Sequence, residues 1–348
     1  MKRNIRLMAA GIVAVLAMAG CSMDSGNSDG DAGSSSSSGA SEGTSTGSGS
    51  AKDLKIGLVA VNLNSPSIAA IKDSFVKAAE AKGWSVDVFD GQGDQNATNN
   101  AASDYIQRGY DVIVNNSSPN QQMTGVIEQA HAKGIPFVSI YGGFVDGVDA
   151  EIGTNEFVNS SLITQEMVNR LGGKGKVLKL NWTVLQALRD RDAGFHAVIS
   201  ENPGIDVVRE IEVKVPGQVE DSYAQVTNAL QSNKDIDAIW IGWDELAPPV
   251  VRAVKEAGLG DKVFVVGFDG NAFAWDLIRD GSPYIMEPAN PFPPMGEKAV
   301  STIETLATGG ELPSHVIYMK PCLINAQTVP DKGDEPDWEN CAFFPGEI

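Results

Sequence analysis

The chain has 348 residues, 42% of them hydrophobic, and its 45 acidic side chains against 26 basic ones give a formal net charge of −19. A surface this acidic argues against nucleic acid and against adsorption to anionic lipid. The three histidines are scattered and none falls at ligand spacing from a cysteine, so the composition points to no metal centre.

The chain opens on an address. Lys2, Arg3 and Arg6 precede an apolar segment, residues 7–19, too short to span a bilayer as a helix and suited to the core of an export signal. It closes on Met18-Ala19-Gly20-Cys21, which resembles a bacterial lipobox. There, small residues precede a cysteine that is lipidated and becomes the first residue of the mature protein. Met18 stands where Leu is commoner, and ordinary cleavage with Cys21 incidental is the alternative. Residues 22–50 are almost wholly Ser, Gly, Thr and Ala without apolar periodicity, so they bury no core and read as a tether. Several acyl chains on Cys21 would hold the protein firmly where one holds it marginally, which predicts an exported protein anchored on the outer face of the cell membrane. Residues 1–20 carry three basic and no acidic side chains, so their removal takes the charge from −19 to −22.

About 300 residues remain, enough for two lobes. Residues 54–61 read as an apolar strand, and 67–82 as a helix through Ile68, Ile71, Phe75, Ala78 and Ala79, ending at Gly83. Strand 84–90, helix 97–108, strand 111–115, helix 121–133 and strand 136–140 complete a first series. A second runs through helix 157–171, strand 176–180, helix 187–200, strand 206–213, helix 220–232, strand 236–241, helix 247–257 and a strand from Val263. Gly172-Gly173-Lys174-Gly175 precedes its strand, so it is read as a helix cap and turn and not as a phosphate loop. Strands alternating with helices in this way predict an α/β protein of two doubly wound parallel-sheet lobes.

The strand from Val263 has an apolar run without alternation, which suits burial on both faces, and it stops at Gly267-Phe268-Asp269-Gly270. Ligands of open parallel sheets lie outside the carboxyl ends of the strands. Phe268 would then cover the C–H face of a polyhydroxylated guest while Asp269 accepts from its hydroxyls. The alternative is that Asp269 only makes a turn between two glycines. Cys322 and Cys341 remain as an even pair in an exported chain and are expected to be bonded, closing residues 323–340 and stapling the tail to the body. Metal binding is the alternative for that pair.

Seven segments now fall in order: Ile56-Gly57-Leu58-Val59, Asn64-Ser65-Pro66, Ala81-Lys82-Gly83, Gly134-Ile135-Pro136-Phe137-Val138, Arg189-Asp190-Arg191-Asp192-Ala193-Gly194-Phe195, Trp243-Asp244-Glu245-Leu246-Ala247 and Val265-Val266-Gly267-Phe268-Asp269-Gly270. In this order, across about three-quarters of the chain, they resemble the ribose-binding family of type I periplasmic sugar-binding proteins. The resemblance implies two lobes joined by a three-segment hinge that closes on a ligand. Behind a signal peptide at 1–20 and a tether at 21–52, one lobe would comprise 54–156 plus 290–318. The other would comprise 157–289 plus 319–348, with the stapled tail.

The resemblance also implies contacts. The family's polar residue after the first strand falls on Ser65, and its two aromatics fall on Ser67 and Ile68, a departure that removes ring stacking on one side. Its strand-end Asn matches Asn116. Its Asp-Arg pair is replaced by Tyr141-Gly142, so Tyr141 substitutes for a charged clamp. Its arginine matches Arg191, the Asn before Asp-Glu is here Trp243 with Asp244 next, its carboxylate matches Asp269, and the polar residue of the last crossing matches Asn290. Arg191, beside Asp190 and Asp192, could instead make a surface ion pair. Trp182 is placed like Trp243, Trp240 reads as core, and Asn155 stands at the first crossing.

One arginine opposite one or two carboxylates suits a neutral hydroxylated guest, and the departures point to a sugar or polyol other than ribose. The expected function is capture for an ATP-binding-cassette importer by an extracytoplasmic, monomeric lipoprotein working with permease and ATPase subunits, with no cofactor. The alternative is a sensor lipoprotein of the same fold that signals to a membrane receptor or kinase. A lactose-repressor-type protein shares the ligand domain but requires a DNA-binding helix pair, which residues 1–53 lack. Two carboxylates near a cleft also raise glycoside hydrolysis, but nothing marks a raised-pKa acid with a partner.

Overall fold

The computed structural model describes residues 53–343. Its first series is β1 Lys55–Ala60, α1 Pro66–Ala81, β2 Ser85–Asp90, α2 Gln95–Gln107, β3 Val112–Asn116, α3 Thr124–Ala132, β4 Phe137–Ile140 and β5 Ala150–Gly153. The second is α4 Glu156–Arg170, β6 Gly175–Asn181, α5 Gln186–Ser200, β7 Ile205–Glu212, α6 Gln218–Ser232, β8 Ala238–Ile241, α7 Ala247–Glu256, β9 Phe264–Val266, α8 Ala272–Arg279 and β10 Tyr284–Ala289. The chain then returns through α9 Phe292–Ala307, β11 Val316–Tyr318 and β12 Cys322–Asn325.

These strands form two six-stranded sheets, ordered β11-β5-β4-β3-β1-β2 and β12-β10-β9-β8-β6-β7. All pairings between named strands are parallel except β10 with β12. The topology is the α/β arrangement of two doubly wound lobes. The central strands lack alternation because both faces are covered. In the first sheet Ile56, Leu58, Val112 and Val114 pack under α1 and α9, while Val59, Ile113 and Phe137 pack under α2 and α3. The second sheet is sandwiched likewise, with Leu178, Ile239 and Val265 on one face and Val177, Trp240 and Val266 on the other.

The chain crosses between the sheets three times: from β5 into α4, from β10 into α9, and from β11 into β12. One expected element is shortened. The helix read over 121–133 starts at Thr124, because residues Asn120–Gln122 form a separate 3₁₀ turn. Buried Asn115 donates to Asn120 Oδ1 (2.7 Å), and Asn120 N donates to Gly142 O (2.9 Å), which fixes that turn outside the helix. Among the described residues, no helix is long and apolar enough to cross a membrane.

β12 runs antiparallel beside β10, with Cys322 opposite Ala289, and Cys322 is bonded to Cys341, 19 residues on. Trp338 and Cys341 pack against the second lobe's core. A cross-link closing a loop of this length stabilises by about 3 kcal/mol through lost chain entropy. The double variant Cys322→Ser/Cys341→Ser is therefore expected to unfold at lower denaturant than the parent. An unchanged midpoint would show that the tail is held without the bond.

Candidate functional site

A cavity of about 200 Å³ lies at the carboxyl ends of both sheets. The first lobe lines it from the turns after β1 (Asn62, Ser65, Ser67), β2 (Gly93, Gln95), β3 (Ser117, Gln122) and β4 (Tyr141). The second lobe contributes Trp182 and Arg191 after β6, Val215 and Gln218 after β7, Trp243 and Glu245 after β8, and Asp269 after β9. Every contributing turn follows a strand, which is where crossover connections leave backbone groups and side chains free to meet a ligand.

Arg191 is the centre of the polar end. α5 carries it inward because α5 packs tightly on α4: a Cβ at Gly194 would lie 2.4 Å from Phe157 O. Arg191 is 2% exposed, so its buried charge needs partners. Arg191 Nε donates to Glu156 Oε2 (2.6 Å), Nη1 donates to Gly242 O (2.7 Å), and Nη2 pairs with Asp269 Oδ1 (2.7 Å). Beneath it lies the Phe268 ring, 4.8 Å from the guanidinium carbon. Phe268 was expected to cover a guest, but it is fully buried in the core beside Trp240 and serves as the arginine's floor.

Glu156 begins α4 at the first crossing and accepts from Tyr141 OH (2.7 Å) and from Asn290 Nδ2 (3.1 Å) on the second crossing. Burial pushes its carboxyl up, but the charge and hydrogen bond of Arg191, with Thr154 and Tyr141, outweigh that and leave it below the usual value. Asp269 is held the other way. Burial raises it, Arg191 lowers it, and the nearby Glu156 raises it again, for a net upward shift. Its φ of 105° is a conformation that non-glycine residues rarely adopt. The adjacent Gly270 (φ 90°) has no room for a side chain, since a Cβ there would meet that of Ala289 at 2.3 Å.

Two further carboxyls stand behind Asp269. Asp244 accepts from Asn271 N (2.7 Å) and Nδ2 (2.8 Å), and Glu287 accepts from Tyr284 OH (2.7 Å). Burial raises both, and each is raised further by a neighbouring carboxylate, so Asp244 lies well above its ordinary value and Glu287 is pushed up to about 8. The lobes meet across the cavity where Asn271 Nδ2 donates to Ser67 Oγ (3.0 Å), which in turn donates to Asp269 Oδ2 (3.4 Å).

Of the residues read from sequence, Ser65, Tyr141, Arg191, Trp243 and Asp269 line the cavity. Asn116, Asp244 and Asn290 do not. Each is buried behind the wall with its amide or carboxyl engaged by protein: Asn116 donates to Ile68 O (3.0 Å), Asp244 holds Asn271, and Asn290 holds Glu156. Asn155 caps α4, accepting from Val158 N (3.1 Å). Glu156 went unread, although an acidic residue opening a helix at a crossing marks it. Gln95 and Gln218, each the first residue of a helix after a glycine-bearing turn, could have been found in the same way. Asp192, His196 and Glu210 approach one another as metal ligands would, but the Lys179 ammonium is paired with both Asp192 and Glu210 and supplies the cation there.

Comparison with known proteins gives a consistent picture. The family described as "Periplasmic binding protein domain" matches residues 56–311. The ribose import binding protein RbsB of Bacillus subtilis is 27% identical over 232 residues, covering 66% of this chain and 74% of that protein. The D-apiose import binding protein of Actinobacillus succinogenes is 27% identical over 229 residues, covering 65% and 73%. A solute binding protein of an Agrobacterium vitis ABC transporter, solved with bound allitol, superposes with a TM-score of 0.75 at 22% identity, over 80% of this chain and 98% of its own.

The buried carboxyls make stability depend on pH. Besides Glu287 at about 8, Glu151 is pushed up to about 7, chiefly by burial. Unfolded, each titrates near about 4.3. Between about pH 4.3 and 8 the folded state therefore holds protons that the unfolded chain has released, so these groups make stability fall as pH rises. Glu287→Gln is expected to flatten the fall in melting temperature between pH 5 and 8. A slope equal to the parent's would mean that Glu287 is ionised in the fold.

Proposed function

The chain belongs to the periplasmic binding protein domain family, in its type I sugar-binding form, and from that premise we propose that it is the lipid-anchored capture subunit of an ATP-binding-cassette importer. Its relatives are import binding proteins and not enzymes, and the chain is a binding protein likewise. The ligand we infer is a neutral sugar or polyol held between the lobes. One observation carries this reading: among the described residues, the only Lys or Arg lining the cavity at the seam, Arg191, is already paired with two carboxylates, Glu156 and Asp269. An anionic guest would find no unpaired cation there, and a strongly charged guest of either sign would add a further desolvation cost.

Arg191 donates with its remaining N–H groups, Asp269 accepts from hydroxyls, Ser65, Ser67 and Gln122 do either, and the rings of Trp182, Trp243 and Tyr141 cover C–H surface. In this reading Asn116, Asp244 and Asn290 position those groups from behind. Ser67 of the first lobe and Asp269 of the second are hydrogen-bonded at the seam, and closure of the lobes on a ligand beside them would exclude water. The relatives named for ribose and D-apiose, and the allitol complex, support a guest of this size and polarity. The export signal, Cys21 and the tether support a chain that waits at the outer membrane face for ligand and delivers it to permease and ATPase subunits.

Two measurements test this. The mature chain with Cys21→Ser should move from the membrane to the soluble fraction, and retention at the membrane would sink the lipid anchor. A thermal-shift screen of that soluble chain against sugars and polyols should raise the melting temperature, since a ligand at 100 times its Kd stabilises by about 2.7 kcal/mol. Asp269→Asn should abolish the shift. Stabilisation by amino acids alone would remove the sugar assignment.

A further inference from the structure

The walls of the cavity carry a feature that the Arg191–Asp269 fork does not explain. Ile68, Ile71 and Phe292 face it from the first lobe, and Leu185, Leu188 and Val215 face it from the second. Only Phe292 among them has a flat ring to lie on the C–H face of a sugar. Branched aliphatic ends offer neither such a face nor a hydrogen-bond partner, and a hydroxyl pressed against them loses its water without replacement. Hydrogen-bonding capacity at the polar end is limited too. Of the five N–H groups of a guanidinium, three on Arg191 are engaged by Glu156, Gly242 and Asp269, and Asp269 also accepts from Ser67. Ser65, Ser67, Gln95, Gln122 and Gln218 add donors and acceptors elsewhere on the lining, but a guest hydroxylated on every side would still press some of its hydroxyls against the aliphatic wall.

On the premise that the chain captures a sugar or polyol, we propose that its ligand carries an apolar substituent, alkyl or aryl. The substituent seats between Ile68 and Ile71 on one lobe and Leu185 and Leu188 on the other, and the hydroxylated end faces Arg191 and Asp269. Such a guest satisfies both halves of the cavity. Its apolar end leaves water for the aliphatic wall, and its hydroxyls meet the donors and acceptors of the polar lining.

Titration calorimetry on the mature chain with Cys21→Ser tests this, using pentoses and hexoses beside their methyl, isopropyl and phenyl glycosides. In the pair that binds best, the glycoside is expected to bind at least about tenfold tighter than the bare sugar, a difference of about 1.4 kcal/mol. Leu185 precedes α5 at its N-cap, where Asn is well suited, so Leu185→Asn puts a polar group in the wall without disfavouring the helix. That variant should shrink the glycoside-to-sugar ratio towards one. Bare sugars binding as tightly as their glycosides, or a ratio untouched by Leu185→Asn, overturns the inference and leaves sugar capture standing. Binding by neither set overturns sugar capture and the inference with it.

Discussion

The site depends on one buried cation held between two carboxylates. Removing the Arg191 guanidinium from water carries a large desolvation cost, and its attraction to Glu156 and Asp269 offsets that cost only because the geometry is close and the remaining lone pairs are occupied. Deleting one partner of such a group typically costs about 3–5 kcal/mol, because the other charge is left buried and unpaired. Much of the surrounding structure meets this demand. Gly194 lets α5 approach α4, Gly242 offers its carbonyl, Tyr141 and Asn290 saturate Glu156, and the Phe268 ring lies under the guanidinium plane.

The same contacts tie binding to the hinge. Glu156 opens α4 where the chain first passes between the sheets, and Asn290 stands where it passes back. Arg191 is thus bonded at once to a crossing segment and to the end of β9, the strand that presents Asp269. A ligand that bonds to Asp269 would act through Arg191 on a segment that joins the two lobes, without a separate relay. The surplus of buried acid behind Asp269 fits this arrangement. Burial and a neighbouring carboxylate push both Asp244 and Glu287 up, which disfavours a third and fourth negative charge beside the two carboxylates that already hold Arg191.

The layered fold was legible because parallel strands covered on both faces leave unmistakable apolar runs, and because glycines close most helices. The cavity-lining residues were legible where a strand end projects into open space, as at Tyr141, Trp243 and Asp269. They were not legible where the side chain turns back. Asn116 is the last residue of β3, and its amide meets the carbonyl of Ile68 at the start of α1, a direction set by packing that no spacing in the chain records. Asn290 and Asp244 misled for the same reason: a polar residue at a strand end can serve the ligand or serve the residue that does. Glu156 escaped notice because its partner lies 35 positions away. β5 escaped notice because Ala150-Glu151-Ile152-Gly153 sets a glutamate among its apolar residues and leaves no apolar run to read.

On the proposed reading, recognition divides between two parts of the cavity with different tolerances. The polar fork is bound to a segment joining the lobes and to a strained turn at Asp269, so a change there disturbs folding and the junction of the lobes together. The aliphatic wall carries no such obligation. Leu185 and Val215 lie in turns after β6 and β7, partly buried, and an apolar residue there can change size at modest cost. Where one part of a site is fixed by charge and the other only by volume, relatives sharing the first can diverge in the second. On that reading, the fork selects for hydroxyls in general and the wall sets which hydroxylated molecule fits.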